Sequence, residues 1–161
     1  MRSVLQRVAR AEVRIGGETL SSIRKGLLVL LGIERGDRER DADDLCEKIV
    51  HLRIFDDEAG KMNLTLLDIG GEMLVVSQFT LLGDCRKGRR PSFTGAEDPD
   101  TARKLYDRFI ARAEERGIRV AQGEFQAMMQ VELVNHGPVT ILLDSRKNFL
   151  RKDLSCPTET H

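Results

Sequence analysis

The stretch LLVLLGI, residues 27–33, is apolar at every position apart from the small Gly32. A strand with one face in water alternates apolar and polar side chains, whereas a uniformly apolar strand is buried on both faces. A second run, EMLVVSQFTLL at residues 72–82, follows the turn signal Gly70–Gly71 and is also mostly apolar. Both runs predict central strands, each covered on two sides.

Shorter strand-like segments lie around these two runs. The first, residues 4–15, places apolar side chains at alternating positions, as a strand does. Three further segments, at residues 117–125, 128–134 and 139–144, are short and apolar. The chain is therefore predicted to contain mostly strands.

Two segments show helical spacing instead. Residues 41–53 repeat apolar side chains every three or four positions, with acidic residues in the first turn. Residues 99–116 do the same, with Asp98 suited to the N-cap, Pro99 to the first helical position and Gly117 to the position after the helix. The prediction is an α/β chain of the α+β type, with its strands packed on each other or on a second copy.

Composition limits what the chain can be. Its 161 residues are 40% hydrophobic, which is enough for the core of one domain. The formal net charge is zero, so any site for a polyanion must come from local clustering. Three widely spaced cysteines favour free thiols and a cytoplasmic location, and no apolar run is long enough to be a signal peptide or a membrane span.

The residues that usually carry hydrolytic chemistry are few. The chain has three histidines, His51, His136 and His161, and none lies in a recognisable Ser-His-Asp or Cys-His context. No spacing of His, Cys, Asp and Glu suggests a metal site. We therefore expect neither a metal nor another cofactor.

Polar residues interrupt the second apolar run at Ser77, Gln78 and Thr80. Burying a hydroxyl or an amide without a partner costs about 1–3 kcal/mol in mutational data. These side chains therefore either bond to neighbouring loops at a strand end or line a pocket. In the pocket interpretation, the amides of Phe79 and Thr80 would face a ligand.

Two further segments also have alternative interpretations. Arg86, Lys87, Arg89 and Arg90 cluster in five positions, which suits either a solvated loop or a phosphate-binding loop. Residues 135–140, NHGPVT, are typical of a loop or hairpin between two strands. A cis Gly-Pro bond there would instead form a rigid pair of carbonyl acceptors that could bind an amino group.

Taken together, these motifs resemble the D-aminoacyl-tRNA deacylases, which remove D-amino acids from tRNA. The resemblance is carried by SQFTL at residues 77–81 and NHGPVT at residues 135–140. Four more motifs occur in the same order, QRV at 6–8, KGLLVLLGI at 25–33, LRIFDDEAGKMNL at 52–64 and RKGRRPSF at 86–93. The match runs from residue 1 to about residue 145. It implies a deacylase domain at residues 1–145 and a polar tail at residues 146–161.

The resemblance implies a single domain of curved, barrel-like mixed β-sheets with two main helices, working as a homodimer on the 3′ end and acceptor stem of aminoacyl-tRNA. It also implies that mischarged glycyl-tRNA is accepted. The implied catalytic stretch is Ser77, Gln78, Phe79 and Thr80. The residues implied in substrate binding and chiral selection are Arg7, Met129, Asn135, Gly137 and Pro138. Those implied in tRNA binding are Arg86, Lys87, Arg89 and Arg90.

In the family, a cis Gly-Pro pair enters the partner's active site, and here Gly137 and Pro138 would act in that way. Main-chain amides would stabilise the oxyanion, and the ribose 2′-hydroxyl would help with proton transfer. Thr80 is the nucleophile candidate by residue type, but without an adjacent base it is expected to position the substrate. An L-side chain would collide with the selector carbonyls, whereas a D-side chain would point into solvent.

This sequence departs from the family where His136 stands in place of the common Asp, and chiral selection is expected to survive that change. A related subfamily has a trans Gly-Pro pair and another strand motif, and the intact SQFTL argues against it. The rival hypothesis from another class is a non-catalytic RNA-binding or dimerisation module that contacts RNA through residues 86–93. The basic residues of the tail, Arg146, Lys147, Arg151 and Lys152, are candidates for additional tRNA contacts.

Overall fold

A computed structural model describes residues 1–147 of the chain, and the predicted tail role of Arg151 and Lys152 lies outside these residues. The described part contains eight strands, two α-helices and one short 3₁₀ turn. The strands are β1 (Arg2–Ile15), β2 (Glu18–Ile23), β3 (Gly26–Gly32), β4 (Phe55–Asp56), β5 (Met62–Leu64), β6 (Glu72–Ser77), β7 (Arg119–Gln122) and β8 (Gln130–Asp144). The helices are α1 (Glu39–Val50) and α2 (Pro99–Glu115), and the 3₁₀ turn is Phe79–Leu82.

Six strands form one curved, mixed sheet in the order β2-β1-β3-β6-β7, with β8 lying along β1. The pairs β3–β6 and β6–β7 are parallel, and the three pairs that β1 makes are antiparallel. The two ends of the sheet approach each other, since Ser21 Oγ on β2 donates to Gln122 O on β7 at 2.7 Å. The predicted barrel-like α+β fold is confirmed.

The central strands are buried on both faces, as their sequences predict. Leu27, Val29 and Leu31 of β3 join a core cluster that includes residues of both helices. Leu28, which points the other way, joins a second cluster with Leu74 of β6. The sheet therefore separates two apolar layers, and only the first layer is covered by helices.

The helix boundaries are close to those predicted. Helix α2 ends at Glu115, one residue early, and Asp98 caps its start by accepting the Thr101 N–H at 3.0 Å. Helix α1 begins at Glu39 rather than at residue 41, because the Asp41 carboxylate reaches back to the Arg38 N–H at 2.9 Å and so belongs to the third helical position. Helix α1 also ends at Val50, three residues before the predicted end.

The second apolar run was predicted to be a strand as far as residue 82, but the strand is shorter. Strand β6 ends at Ser77, and the following Gln78 N–H donates to Leu31 O at 2.8 Å. The chain then coils into the Phe79–Leu82 turn, which packs on Gly32 at the end of β3. A Cβ atom on Gly32 would lie 2.7 Å from Leu82 Cδ2 and 2.9 Å from Gln78 O. The glycine therefore provides the space that the turn occupies.

Turn chemistry predicted that residues 135–140 form a hairpin connection between two strands. This prediction is wrong. The segments on both sides pair antiparallel with the same strand, β1, so they are two halves of β8. Thr140 lies opposite Gln6, and Asn135 lies opposite Val8. Four residues of β8, 136–139, therefore lie opposite the single residue Arg7, and they bulge out of the sheet. We call residues 136–139 the selector loop.

Candidate active site

A cavity of about 570 Å³ lies beyond the end of β6, beside the start of α2. Its walls are mainly apolar, with Ser77 and Gln78 at the end of the strand. The lining residues are Ile33, Val76, Ser77, Gln78, Phe79, Ala96, Glu97, Pro99, Ala102, Phe125, Gln126, Ala127, Met128, Met129 and Val131. A space of this size and character suits a small organic ligand with a few polar groups.

The Phe79–Leu82 turn forms one edge of this cavity. Within residues 1–147, the amide N–H groups of Phe79 and Thr80 have no hydrogen-bond acceptor. Phe79 lines the cavity with its side chain 57% exposed, whereas Thr80 is exposed and does not line it. Gln78 Nε2 donates to Thr80 Oγ1, which holds that hydroxyl beside the turn. Of the four predicted catalytic residues, three line the cavity and the fourth lies next to it.

The opposite wall is the segment between β7 and β8. Met129, predicted as a pocket residue, lines the cavity, and a Cβ atom on Gly123 would lie 2.7 Å from its Sδ atom. Phe125 packs against Tyr106, with ring centroids 5.9 Å apart. Gln126 has a φ of 65°, an uncommon conformation for a residue with a side chain. The sequence prediction missed Phe125 and Gln126, although both are close neighbours of Met129.

The selector loop lies outside the cavity. The Gly137–Pro138 peptide bond is cis, and both residues are exposed. Arg7, which is 6% exposed, holds the loop by donating from Nε to His136 O at 2.7 Å. The Arg7 side chain is itself anchored, because Nη1 donates to Ile54 O at 2.8 Å. Neither Gly137 nor Pro138 lines the cavity of its own chain, and Asn135, also predicted in the site, is exposed beside the loop.

The predicted basic cluster forms a hairpin that follows the Phe79–Leu82 turn. A β-bridge between Asp84 and Ser92 closes this basic hairpin, residues 84–92. Arg86 donates to Asp84 at 2.9 and 2.6 Å, and these bonds hold the pKa of the Asp84 carboxyl far below its usual range. Lys87, Arg89 and Arg90 are exposed and pair with no acidic side chain of residues 1–147.

Phe93 joins the basic hairpin to the cavity. Its ring packs edge-on against the ring of Phe79, with centroids 5.2 Å apart. Gly83 makes this contact possible, because a Cβ atom there would lie 3.0 Å from Phe93 Cε1. This contact places the base of the basic hairpin beside the edge of the cavity.

Other reactive groups lie away from the cavity. Burial raises the pKa of the Cys46 thiol to about 12, which makes it a poor nucleophile. His51 and His136 are exposed and do not line the cavity, and His161 lies outside the described residues. Among residues 1–147, no group of three His, Cys, Asp or Glu side chains could hold a metal ion, and neither helix has the length and apolarity to cross a bilayer.

Comparison with known proteins identifies the family. The sequence model of the family described as D-Tyr-tRNA(Tyr) deacylase matches residues 4–144. A curated relative, the D-aminoacyl-tRNA deacylase of Syntrophus aciditrophicus (strain SB), is 63% identical over 149 residues, which are 92% of this chain and 100% of the relative. These two sequence matches therefore place the chain in a family of deacylases. This chain belongs to the D-Tyr-tRNA(Tyr) deacylase family.

Solved structures share the same fold. One titled "c-Myc DNA Unwinding Element Binding Protein" is 40% identical and superimposes with a TM-score of 0.84 over 89% of this chain and 98% of its own. Another, described as a probable eukaryotic D-amino acid tRNA deacylase, is 18% identical, with a TM-score of 0.76 over 88% of this chain and 97% of its own. At that identity, the second similarity supports the fold alone.

Proposed function

We propose that this chain hydrolyses the ester bond of D-aminoacyl-tRNA, releasing free tRNA and a D-amino acid, and that it also accepts glycyl-tRNA. Membership of the deacylase family supports the reaction. The proposed mechanism rests on one observation, that two features occur in the same chain. One is a cavity edged by unpartnered amides, and the other is an exposed selector loop braced by the buried Arg7.

The cavity supports binding of the aminoacylated 3′ nucleoside. Its apolar walls suit a purine base, and the free amides of Phe79 and Thr80 lie at its edge. Amides that are already oriented stabilise the oxyanion of an ester under attack, and losing one such donor typically costs about 100- to 1000-fold in kcat. An aminoacyl ester is already activated, so the ribose 2′-hydroxyl and water can complete the proton transfer without a histidine.

Chiral selection is assigned to the selector loop. If the α-amino group and the ester are held, only one direction remains for the amino-acid side chain. A D-side chain then points to solvent, whereas an L-side chain collides with the carbonyl groups of Gly137 and Pro138. Glycine has no side chain to collide, which explains why glycyl-tRNA would be accepted.

We assign the loop to the cavity of a second copy of the chain. Gly137 and Pro138 are exposed and line no part of their own cavity. Val134 and Leu142, on either side of the loop in β8, are large apolar residues that are 41% and 56% exposed. Exposed apolar side chains beside a rigid loop favour self-association. A homodimer with two-fold symmetry would complete two sites at once.

The remaining proposed contacts are to tRNA. Lys87, Arg89 and Arg90 carry charges with no acidic partner among residues 1–147, and their hairpin is fixed to the cavity edge through Phe93. They are placed to bind phosphates of the 3′ end and acceptor stem. Thr80 is assigned a positioning role. A large loss of kcat in Thr80→Val with intact tRNA binding would contradict that role.

The direct test is to incubate the protein with D-aminoacyl-, L-aminoacyl- and glycyl-tRNA and to follow release of the amino acid. We expect release from the D-aminoacyl and glycyl substrates, and little from the L-aminoacyl substrate. The rival module, which binds RNA without catalysis, predicts binding of all three substrates with no release. Failure to release any D-amino acid would rule out the enzymatic proposal.

A further inference from the structure

The cavity contains a charged residue that the sequence motifs do not single out. Glu97 is the one ionisable side chain among the cavity-lining residues that the structure describes. It lies just before Asp98, the N-cap of α2, in a wall that is otherwise made by Ile33, Ala96 and Pro99. A carboxylate at this place can contact a polar group of a ligand in the cavity.

Three hydrogen bonds hold Glu97 in position. Its backbone N–H donates to Ile33 O at 3.1 Å. Its Oε2 atom accepts the Gly36 N–H at 2.8 Å, and its Oε1 atom accepts the Asp98 N–H at 3.0 Å. These two side-chain hydrogen bonds restrict the half-buried side chain to few orientations.

These contacts leave the carboxylate with unused capacity. Each carboxylate oxygen can accept two hydrogen bonds, and one is taken on each. No Lys or Arg of residues 1–147 pairs with Glu97. A fixed, uncompensated negative charge at a ligand cavity attracts hydrogen-bond donors and cations, and it repels phosphate.

We propose that Glu97 is a specificity-determining residue whose carboxylate accepts a hydrogen bond from an amino group of the bound aminoacyl-adenosine. This inference rests on the proposed function. The ligand has two such groups, the α-amine of the amino acid and the exocyclic amine of the terminal adenine. The charge also directs the nucleoside into the cavity with its 5′ phosphate outward, towards the basic hairpin.

A purely structural role is the alternative, because Glu97 also joins the Gly36 turn to the start of α2. The experiment separates the two roles by pairing enzyme variants with altered substrates. The variants are Glu97→Gln, which keeps one acceptor oxygen, and Glu97→Ala. Asp98→Ala is the matched control, since it removes the N-cap of the same helix and does not line the cavity.

Three substrates are compared: D-aminoacyl-tRNA, the same tRNA with the α-amine of its amino acid replaced by hydrogen, and a tRNA ending in purine riboside, which lacks the exocyclic amine. On the first substrate, we expect Glu97→Ala to lower kcat/KM by about 10- to 100-fold, the effect of losing a hydrogen bond to a charged group. Glu97→Gln should lose less. On one of the two altered substrates, the loss caused by Glu97→Ala should fall below about twofold. The amino group that this substrate lacks is then the group that Glu97 binds.

The proposal is overturned if Glu97→Ala loses the same factor on all three substrates, as Asp98→Ala should, or if it loses nothing on the first. Both outcomes require an active wild-type enzyme. A wild-type protein that releases no D-amino acid would instead refute the proposed function itself, so the two failures are distinguishable.

Discussion

Phe79 combines two properties at one position. Its amide N–H has no acceptor among residues 1–147, and its ring both lines the cavity and packs against Phe93. The proposed catalysis depends on the amide and not on the ring. Substitution can separate the two, because proline removes the N–H and is tolerated at the first position of a helical turn.

Phe79→Pro is expected to lower kcat on D-aminoacyl-tRNA by about 100- to 1000-fold, as the loss of an oxyanion donor does. Phe79→Ala keeps the N–H and removes the ring, so it controls for lost packing and should lose much less. Single-turnover deacylation rates measure both effects. Equal losses in the two variants would argue against a role for the amide.

Arg7 shows how far residue-level prediction extends. The resemblance implied Arg7 in substrate binding and chiral selection, and the structure gives this side chain contacts to His136 O, Ile54 O and the Asp56 carboxylate. No sequence motif indicated a role for Glu97. Its proximity to the cavity depends on the way residues 95–97 return to the end of β3, and this is a tertiary contact that a local sequence pattern does not record.

At the scale of the element, the Phe79–Leu82 turn depends on Gly32. Gly32→Ala would place a Cβ atom 2.7 Å from Leu82 Cδ2 and 2.9 Å from Gln78 O, so the turn must shift. We expect a loss of stability of about 1–3 kcal/mol, typical of overpacking, and a fall in kcat as the amides move. Thermal unfolding and deacylation measure the two effects. Gly95→Ala is the control, because the nearest atom to its Cβ would be 3.8 Å away.

The basic hairpin makes a separate prediction about binding. Replacing Arg89 and Arg90 with alanine should weaken tRNA binding and reduce the slope of log affinity against log salt by about 1–2, with kcat little changed. Filter binding at several salt concentrations measures the slope. The matched control, Arg38→Ala with Arg40→Ala, removes two exposed cations at the start of α1. A slope that falls equally in both double variants would count against the hairpin.

Helices α1 and α2 are joined by an ion pair whose contribution depends on pH. The hydrogen bonds from Arg108 to Asp43, at 2.7 and 2.8 Å, lower the pKa of the Asp43 carboxyl. A lowered folded-state pKa adds stability above the unfolded value of about 3.9, and this stability is lost as the pH falls through the folded value. Asp43→Asn should therefore lower the melting temperature at neutral pH, with a difference from wild type that shrinks in acid.

The control for this prediction is Asp44→Asn, one residue along the same helix. Within residues 1–147, Asp44 pairs only with the highly exposed Arg40, so its removal should change the melting temperature less. A difference between Asp43→Asn and wild type that grows as the pH falls would contradict the assignment.

Much of the element-level structure follows from local patterns. The uniformly apolar runs predicted the buried strands, and Asp98, Pro99 and Gly117 predicted the limits of α2. Two of the errors have tertiary causes. Strand β6 stops at Ser77 because the Phe79–Leu82 turn packs on Gly32. Residues 135–140 look like a hairpin, but both flanking segments pair with β1, a partner more than 100 residues away in the sequence.

At the scale of the whole molecule, we propose that a second copy of the chain completes the site. Both apolar clusters of the sheet are already buried within one chain, but the apolar side chains of Val134 and Leu142 on β8 remain exposed. The cavity and the selector loop are separate features of the same chain. A second copy would explain both observations, by covering apolar surface and by bringing its loop to the cavity.

The measurement that tests this account most directly is selection in trans. The first variant lacks Gly137 and Pro138, and this deletion leaves two residues opposite Arg7, which a β-bulge accommodates. It is expected to hydrolyse L-aminoacyl-tRNA as well as D-aminoacyl-tRNA. The second variant is Phe79→Pro, which has an intact loop and an inactive cavity. The two are denatured and refolded together, with about a tenfold excess of Phe79→Pro, so that most loop-deleted chains pair with it.

In such a heterodimer, the active cavity belongs to the loop-deleted chain, and the intact loop belongs to its partner. The account predicts that hydrolysis of L-aminoacyl-tRNA disappears on mixing while hydrolysis of D-aminoacyl-tRNA persists. Refolding the loop-deleted variant alone is the control, and it should retain both activities. If the mixture continues to hydrolyse L-aminoacyl-tRNA at the rate of the loop-deleted variant alone, the loop does not act on its partner's cavity, and the central claim is wrong.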